Sequence, residues 1–122
     1  SERNARWSIE QSRHEVDKYK RKVRDDVISS IEKIETNHQL YSKAREARIE
    51  AETYYRSMLV SLRRGRFTAA AARDALDSLI SSREQELSML VLYNASLLEF
   101  EVSKNELFEK YRIDVESYIP KN

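Results

Sequence analysis

Residues with reactive side chains are few and widely separated in this chain. His14 and His38 lack the HExxH spacing of a helical zinc site. One glycine cannot build a glycine-rich phosphate loop, and the lack of cysteine excludes a thiolate metal site and a disulfide scaffold. No spacing groups a nucleophile with a base and an orienting residue. We therefore expect no catalysis, no cofactor and no bound metal.

Asp74 and Asp77 come closest to a paired carboxylate site. Their spacing of three residues places both on one face of a helix, which Glu84 and Glu86 do not share. Carboxylates near a helix start are most often partners of the helix dipole. The alternative is that the pair faces a pore or a partner protein.

The composition indicates long helices. Charged residues make up 35% of the chain and apolar residues 40%, with a single glycine and a single proline. A sheet domain with frequent turns needs many more turn residues. The 22 basic and 21 acidic residues leave a net charge of +1, which favours neither nucleic acid nor an anionic membrane as partner. No apolar run approaches the ~18 residues of a membrane span.

A single breaker, Gly65, divides two segments with helical apolar periodicity. Glycine suits a left-handed helix stop, and Thr68 is a good N-cap for a new helix. We therefore predict an all-α fold, a long antiparallel helical hairpin or coiled coil forming one unit over residues 1–122. The first helix is expected at about 5–62, the tip turn at about 63–67, the second helix at about 68–110 and a tail at 111–122.

Two parts of this prediction have alternatives. The segment Thr36–Gln39 has modest helix propensity, and a break near Asn37 would give three helices. The tail alternates apolar and polar residues, which favours a short strand or an extended segment, and Pro120 would end any regular element there.

The apolar pattern of the second helix predicts more than one neighbour. We expect its contact with the first helix along a ladder that includes Ala72, Leu76, Leu79, Leu87 and Leu90. A second stripe is formed by Ile80, Leu87, Val91, Leu98 and Val102. Between 87 and 100, apolar residues cover most of the circumference, and an all-round apolar helix is buried by several neighbours. The candidate packing interface is Leu87, Leu90, Leu97 and Phe100; alternatively, the first helix folds back to cover it within a monomer.

Three motifs in the chain resemble a known family. They are a tight turn, a paired-acid segment and a leucine-rich segment: Gly65-Arg66-Phe67-Thr68, Asp74-Ala75-Leu76-Asp77-Ser78-Leu79, and Leu87 through Tyr93-Asn94 to Leu97-Leu98. Together they resemble the periplasmic helical hairpin of TolC-type outer-membrane efflux proteins, with the second repeat as the nearer match. The resemblance covers roughly residues 5 to 110. The chain departs from the family in the position of its acidic residue. The family usually has an acid at the position of Ala71, whereas this chain has Asp74 three residues later.

The resemblance implies a function without catalysis. Three protomers of that family form an α-barrel tunnel that continues from an outer-membrane β-barrel and exports small molecules or proteins. The tip meets a periplasmic adaptor protein, which works with an inner-membrane pump. By resemblance, Arg64, Gly65, Arg66 and Thr68 form the adaptor-docking tip, and Asp74 and Asp77 are candidates for an acidic ring at the tunnel entrance. The implied location is the outer membrane and periplasm, with membrane contact only through barrel segments that this chain does not contain.

The competing interpretation is a generic coiled-coil interaction or scaffold module, such as a spectrin-like three-helix bundle. That alternative requires a real break near Asn37. The arginines around the turn, Arg63, Arg64 and Arg66, are either solvated or dock a partner. Because the chain does not begin with Met, we expect it to be part of a longer protein, so its targeting cannot be read here.

Overall fold

Two long helices joined by one short turn make up the fold. The computed structural model describes residues 2–118, with α1 at Glu2–Arg63 and α2 at Ala69–Tyr118. The helices have 62 and 50 residues, which correspond to roughly 90 and 75 Å of helix. They pack against each other between about residue 30 and residue 100, and residues 2–118 contain no strand. The predicted all-α hairpin, with its sharp turn at Gly65, is confirmed.

The first helix continues without a break through Asn37. Its side chain faces α2 and donates a hydrogen bond from Nδ2 to the backbone oxygen of Leu92, at 3.5 Å. A partner across the helix pair compensates for the weak helix propensity of this segment. The described residues therefore form two helices, and the three-helix alternative is wrong for them.

The contact between the helices follows a heptad pattern in both. A continuous series of buried and half-buried positions follows steps of three and four, which is the spacing of a coiled-coil seam, and further half-buried residues flank it. In α1 these positions are Ser30, Ile34, Asn37, Tyr41, Ala44, Arg48, Ala51, Tyr55, Met58 and Leu62. In α2 they are Ala72, Ala75, Leu79, Ser82, Glu86, Met89, Tyr93, Ser96 and Phe100, which we call the inner face of α2.

The ladder predicted for α2 is wrong in register. Of its residues, Ala72 and Leu79 lie on the inner face, but Leu76 and Leu87 are exposed. The prediction favoured large aliphatic side chains over alanine and serine. A strict three-four spacing that matches α1 is instead provided by small and polar residues, and this spacing determines which face meets the partner helix.

Burial between the helices is modest. The main apolar cluster contains Met58, Ala72 and Ala75, with Tyr55 and Leu62 packed against it. None of the large side chains in the described residues is completely buried. Beyond Phe100 towards the open end, a groove of about 480 Å³ lies between the helices, lined in part by Tyr19, Val23 and Leu107. A hairpin with so small a core gains little stability from its own packing.

The second helix extends past its predicted end. It continues to Tyr118, so the extended conformation expected for the tail is wrong for residues 111–118. No glycine or proline lies between Lys110 and Pro120, so nothing stops the helix in this stretch. The predicted stop at Pro120 lies outside the described residues.

Candidate functional site: the tip and the outer face of the second helix

Backbone hydrogen bonds close the tip turn. The Gly65 N–H donates to the Leu62 oxygen and the Arg66 N–H donates to the Ser61 oxygen, both at 3.0 Å. Gly65 has φ of +73°, so these two bonds form the Schellman motif that ends a helix at a left-handed residue. The predicted left-handed conformation of Gly65 is confirmed.

Thr68 starts the second helix as predicted. Its Oγ1 accepts a hydrogen bond from the Ala71 N–H at 3.2 Å, and its carbonyl accepts one from the Ala72 N–H at 3.2 Å. The first bond satisfies an N–H that has no partner inside the helix, which is the role of an N-cap. The Schellman motif and the cap together hold both ends of the turn in one conformation.

The arginines of the tip are exposed. Arg63, Arg64 and Arg66 surround Gly65, and the aromatic ring of Phe67 beside them is 49% exposed. None of the ion pairs within residues 2–118 involves these arginines. The tip therefore presents cationic groups and one aromatic group to solvent on a backbone held by hydrogen bonds.

Asp74 and Asp77 lie in the first turns of α2 and are exposed. Because Ala72, Ala75 and Leu79 face α1, the three- and four-residue periodicity directs both carboxylates away from α1. Ile80 follows at the same spacing, so the acids continue the line of the second apolar stripe towards the tip. The predicted acids are thus brought together on the outward side of α2.

Large aliphatic side chains line the outward side of α2. The outer stripe, as we call it, is 47% to 66% exposed and consists of Ile80, Leu87, Val91, Leu98 and Val102. It extends from Ile80 to Val102, or roughly 33 Å along the helix. Of the predicted packing interface, Leu87 belongs to this stripe, Leu90 and Leu97 lie at its flanks, and Phe100 is half-buried against α1.

An ionic cluster inside the helix contact was not anticipated from the sequence. Arg48 of α1 donates from Nε to Glu86 of α2 at 2.6 Å, and from Nη1 to Glu52 at 3.0 Å. Arg56 also binds Glu52, at 2.9 Å, and Arg83 approaches it at 3.8 Å. The spacing from Tyr41 through Ala44 to Ala51 was the available signal, since it places position 48 in the seam.

The cluster changes the acidity of its members. The hydrogen bond from Arg48 lowers the pKa of Glu52 below its ordinary value of 4.5, and the charges of Arg56 and Arg83 act in the same direction. The hydrogen bonds to Glu86 and Glu52 raise the pKa of Arg48. Each group stabilises the charged form of the other. This arrangement is suited to holding two helices in register.

His38, an exposed residue beside the seam, packs against an aromatic ring. His38 lies 5.3 Å from Tyr93, measured between ring centroids, and Tyr41 stacks on the same tyrosine at 6.5 Å. Within residues 2–118, no group of three or more His, Asp or Glu side chains is arranged to hold a metal ion. His38 therefore contributes to packing in this arrangement.

Comparisons with known proteins leave the function to be inferred from these features. Neither α1 nor α2, as far as they are described, contains a stretch long and apolar enough to cross a membrane. No protein-family model, no curated protein and no solved structure matches the chain.

Proposed function

We propose that this chain is the periplasmic α-helical hairpin of a trimeric outer-membrane efflux duct. In this function it contributes to the wall of a tunnel and offers an adaptor-docking tip for the export of small molecules or proteins. The observation that carries the proposal is the outer stripe of α2. A hairpin that acted alone would not need a second row of large aliphatic side chains opposite its own partner helix.

The two apolar faces of α2 suit a helix with a neighbour on each side. In the wall of a closed helical barrel, every helix packs against one helix of its own hairpin and one of the next. The inner face of α2 meets α1, and the outer stripe would meet the adjacent hairpin. Full burial of a large aliphatic side chain contributes roughly 1.5–3 kcal/mol, so a few such contacts are enough to drive association.

The tip supports the same function. Arg64, Gly65, Arg66 and Thr68 lie at the extreme end of the hairpin, where a periplasmic adaptor would dock and couple the duct to an inner-membrane pump. Asp74 and Asp77 lie within about two turns of the start of α2 and point outward. In a ring of hairpins, acids at this level would repeat around the entrance of the tunnel.

The test replaces outer-stripe residues in the gene that encodes the chain. Leu87→Glu and Leu98→Glu place a carboxylate in the proposed wall contact, and Ile9→Glu is the matched control, because Ile9 is 56% exposed outside the stripe. We expect the unmodified protein in the outer-membrane fraction, a chemically cross-linked trimer and export of a fluorescent dye. Both stripe variants should lose the trimer and the export, and the control should keep them.

Two outcomes would contradict the proposal. Unchanged dye export with Leu98→Glu would show that the stripe is not a wall contact. Self-association that is not trimeric, in a protein found outside the cell envelope, would favour the generic coiled-coil scaffold. Circular dichroism of the purified variants provides the folding control, since changes at exposed positions should leave the hairpin intact.

A further inference from the structure

A segment around the tip carries basic side chains and no acidic ones, as does the shorter stretch of residues 18–24 on α1. Residues 53–73 contain five arginines and no acidic residue, namely Arg56, Arg63, Arg64, Arg66 and Arg73. Because the whole chain carries +1 and this segment +5, the remaining residues carry −4. Near balance over the entire chain therefore hides a strongly cationic end.

Most of this charge is not neutralised within the hairpin. Arg56 is paired with Glu52, but none of the ion pairs in the described part of the chain involves the other four arginines of the segment. Elsewhere in the helix contact, Arg48 and Lys33 bind glutamates on α2. Cations bind glutamates in the middle of the helix contact, whereas the four arginines nearest the turn take part in none of these ion pairs.

The position of the tip cations is set by the turn. Arg64 and Arg66 flank Gly65, whose conformation is fixed by two backbone hydrogen bonds and by the cap at Thr68. The guanidinium group binds a carboxylate through two parallel N–H donors, and less freedom is lost when its backbone is already ordered. Phe67 follows Arg66 and offers an apolar surface beside these cations, since its ring is half exposed.

We propose that the tip docks onto a partner protein whose contact surface presents carboxylates around an apolar site for Phe67. This inference rests on the proposed function and specifies the chemistry of the adaptor. Asp74 and Asp77 favour a folded protein over a membrane or a nucleic acid. A broad phosphate surface would meet these acids one to two turns from the tip, whereas a protein can place its carboxylates only at the arginines.

The experiment uses p-benzoylphenylalanine in place of Phe67, produced in the native host from the chromosomal gene. After irradiation, the adduct is isolated and the cross-linked peptide is identified by mass spectrometry. We expect a protein adduct whose peptide contains several Asp or Glu residues. Arg64→Glu with Arg66→Glu should lower the yield about tenfold or more, because like charges then face each other. Exchange of two partner carboxylates for Arg should restore it.

A matched control separates tip chemistry from net charge. Arg21→Glu with Arg24→Glu makes the same charge change at exposed positions far from the tip and should leave the yield unchanged. An adduct to lipid or nucleic acid, a peptide without acidic residues, or no protein adduct would overturn the inference. A neutral peptide from an adaptor would leave the proposed function standing, and an acidic peptide from a protein unrelated to efflux would contradict the function alone.

Discussion

The two faces of α2 reverse the pattern of an ordinary amphipathic helix, in which the large apolar side chains face the partner helix. Its inner face carries alanine, serine and glutamate at most positions, and Ala72, Ala75 and Ser96 are buried there. Its outer stripe carries leucine, isoleucine and valine, and these side chains are largely exposed. The hairpin contact therefore uses the smaller side chains of α2 and leaves its larger apolar surface exposed, where the proposed function places a second neighbour.

The contrast between the two faces also distinguishes the stability of the isolated hairpin from its proposed association with other hairpins. Small residues on the inner face allow regular packing along the seam, but they remove little apolar area from water. Large residues on the outer stripe contribute almost nothing to the isolated hairpin. Changes on the two faces should therefore have different consequences, and the following measurements compare them.

Removal of a large side chain from the inner face should have the largest effect. Leu79 is 4% exposed, so Leu79→Ala should lower the free energy of unfolding by about 2–3 kcal/mol. Leu98 is 66% exposed, so Leu98→Ala should change it by less than about 0.5 kcal/mol. Urea titrations at low protein concentration, followed by circular dichroism, measure both. Equal losses would show that the two faces do not differ as described.

The turn joins α1 to the inner face of α2, and its glycine can be tested directly. Gly65→Val should cost about 1–2 kcal/mol, because a β-branched residue is strained at φ of +73°. An added Cβ would have no atom within 4 Å, so Gly65→Ala measures the conformational cost without a clash and should be smaller. Melting curves compare the two variants. Unchanged melting of both would contradict the left-handed turn.

Single thiols can report on the two faces, since the chain contains no cysteine. Ser96→Cys introduces a thiol on the inner face and Leu98→Cys introduces one on the outer stripe. We expect the inner thiol to react with a maleimide at about one tenth of the rate of the outer thiol or more slowly still, because it must wait for local opening of the helix pair. Equal rates would indicate that the helices separate easily around Ser96.

Acid should weaken the contact between the helices by protonating the ionic cluster. Of the four predictions, we expect this one to have the smallest effect. The pKa of Glu52 is lowered in the folded chain, so its stabilising contribution is complete above about pH 4.5 and is lost as the pH falls through the folded value. Glu52→Gln should therefore lower the melting temperature at pH 7, and this difference should shrink as the pH falls towards 3. A constant difference across this range would contradict the ion-pair explanation.

The sequence predicted the hairpin well because its signals are local. A single glycine, a threonine cap and uninterrupted periodicity are enough to locate the turn and both helices. The register of α2 was missed because its inner face includes Ala75, Ser82 and Ser96, which hydrophobicity alone does not distinguish from surface residues. The Arg48–Glu86 pair was missed for the same reason, since a seam position is seldom assigned to a charged side chain. The outer stripe, in contrast, was recognised from spacing alone.

The arrangement at the tip has a consequence for how the chain folds. The Schellman motif, the Thr68 cap and the Met58–Ala75 cluster all lie within a short length of chain, so their formation closes only a small loop. Contacts further from Gly65 can then form one turn at a time, each after a small additional loss of chain entropy. The hairpin should thus zip from its turn towards its open end. Hydrogen exchange would follow this order, with amides near residues 58–79 protected longest and those along the open groove exchanging first.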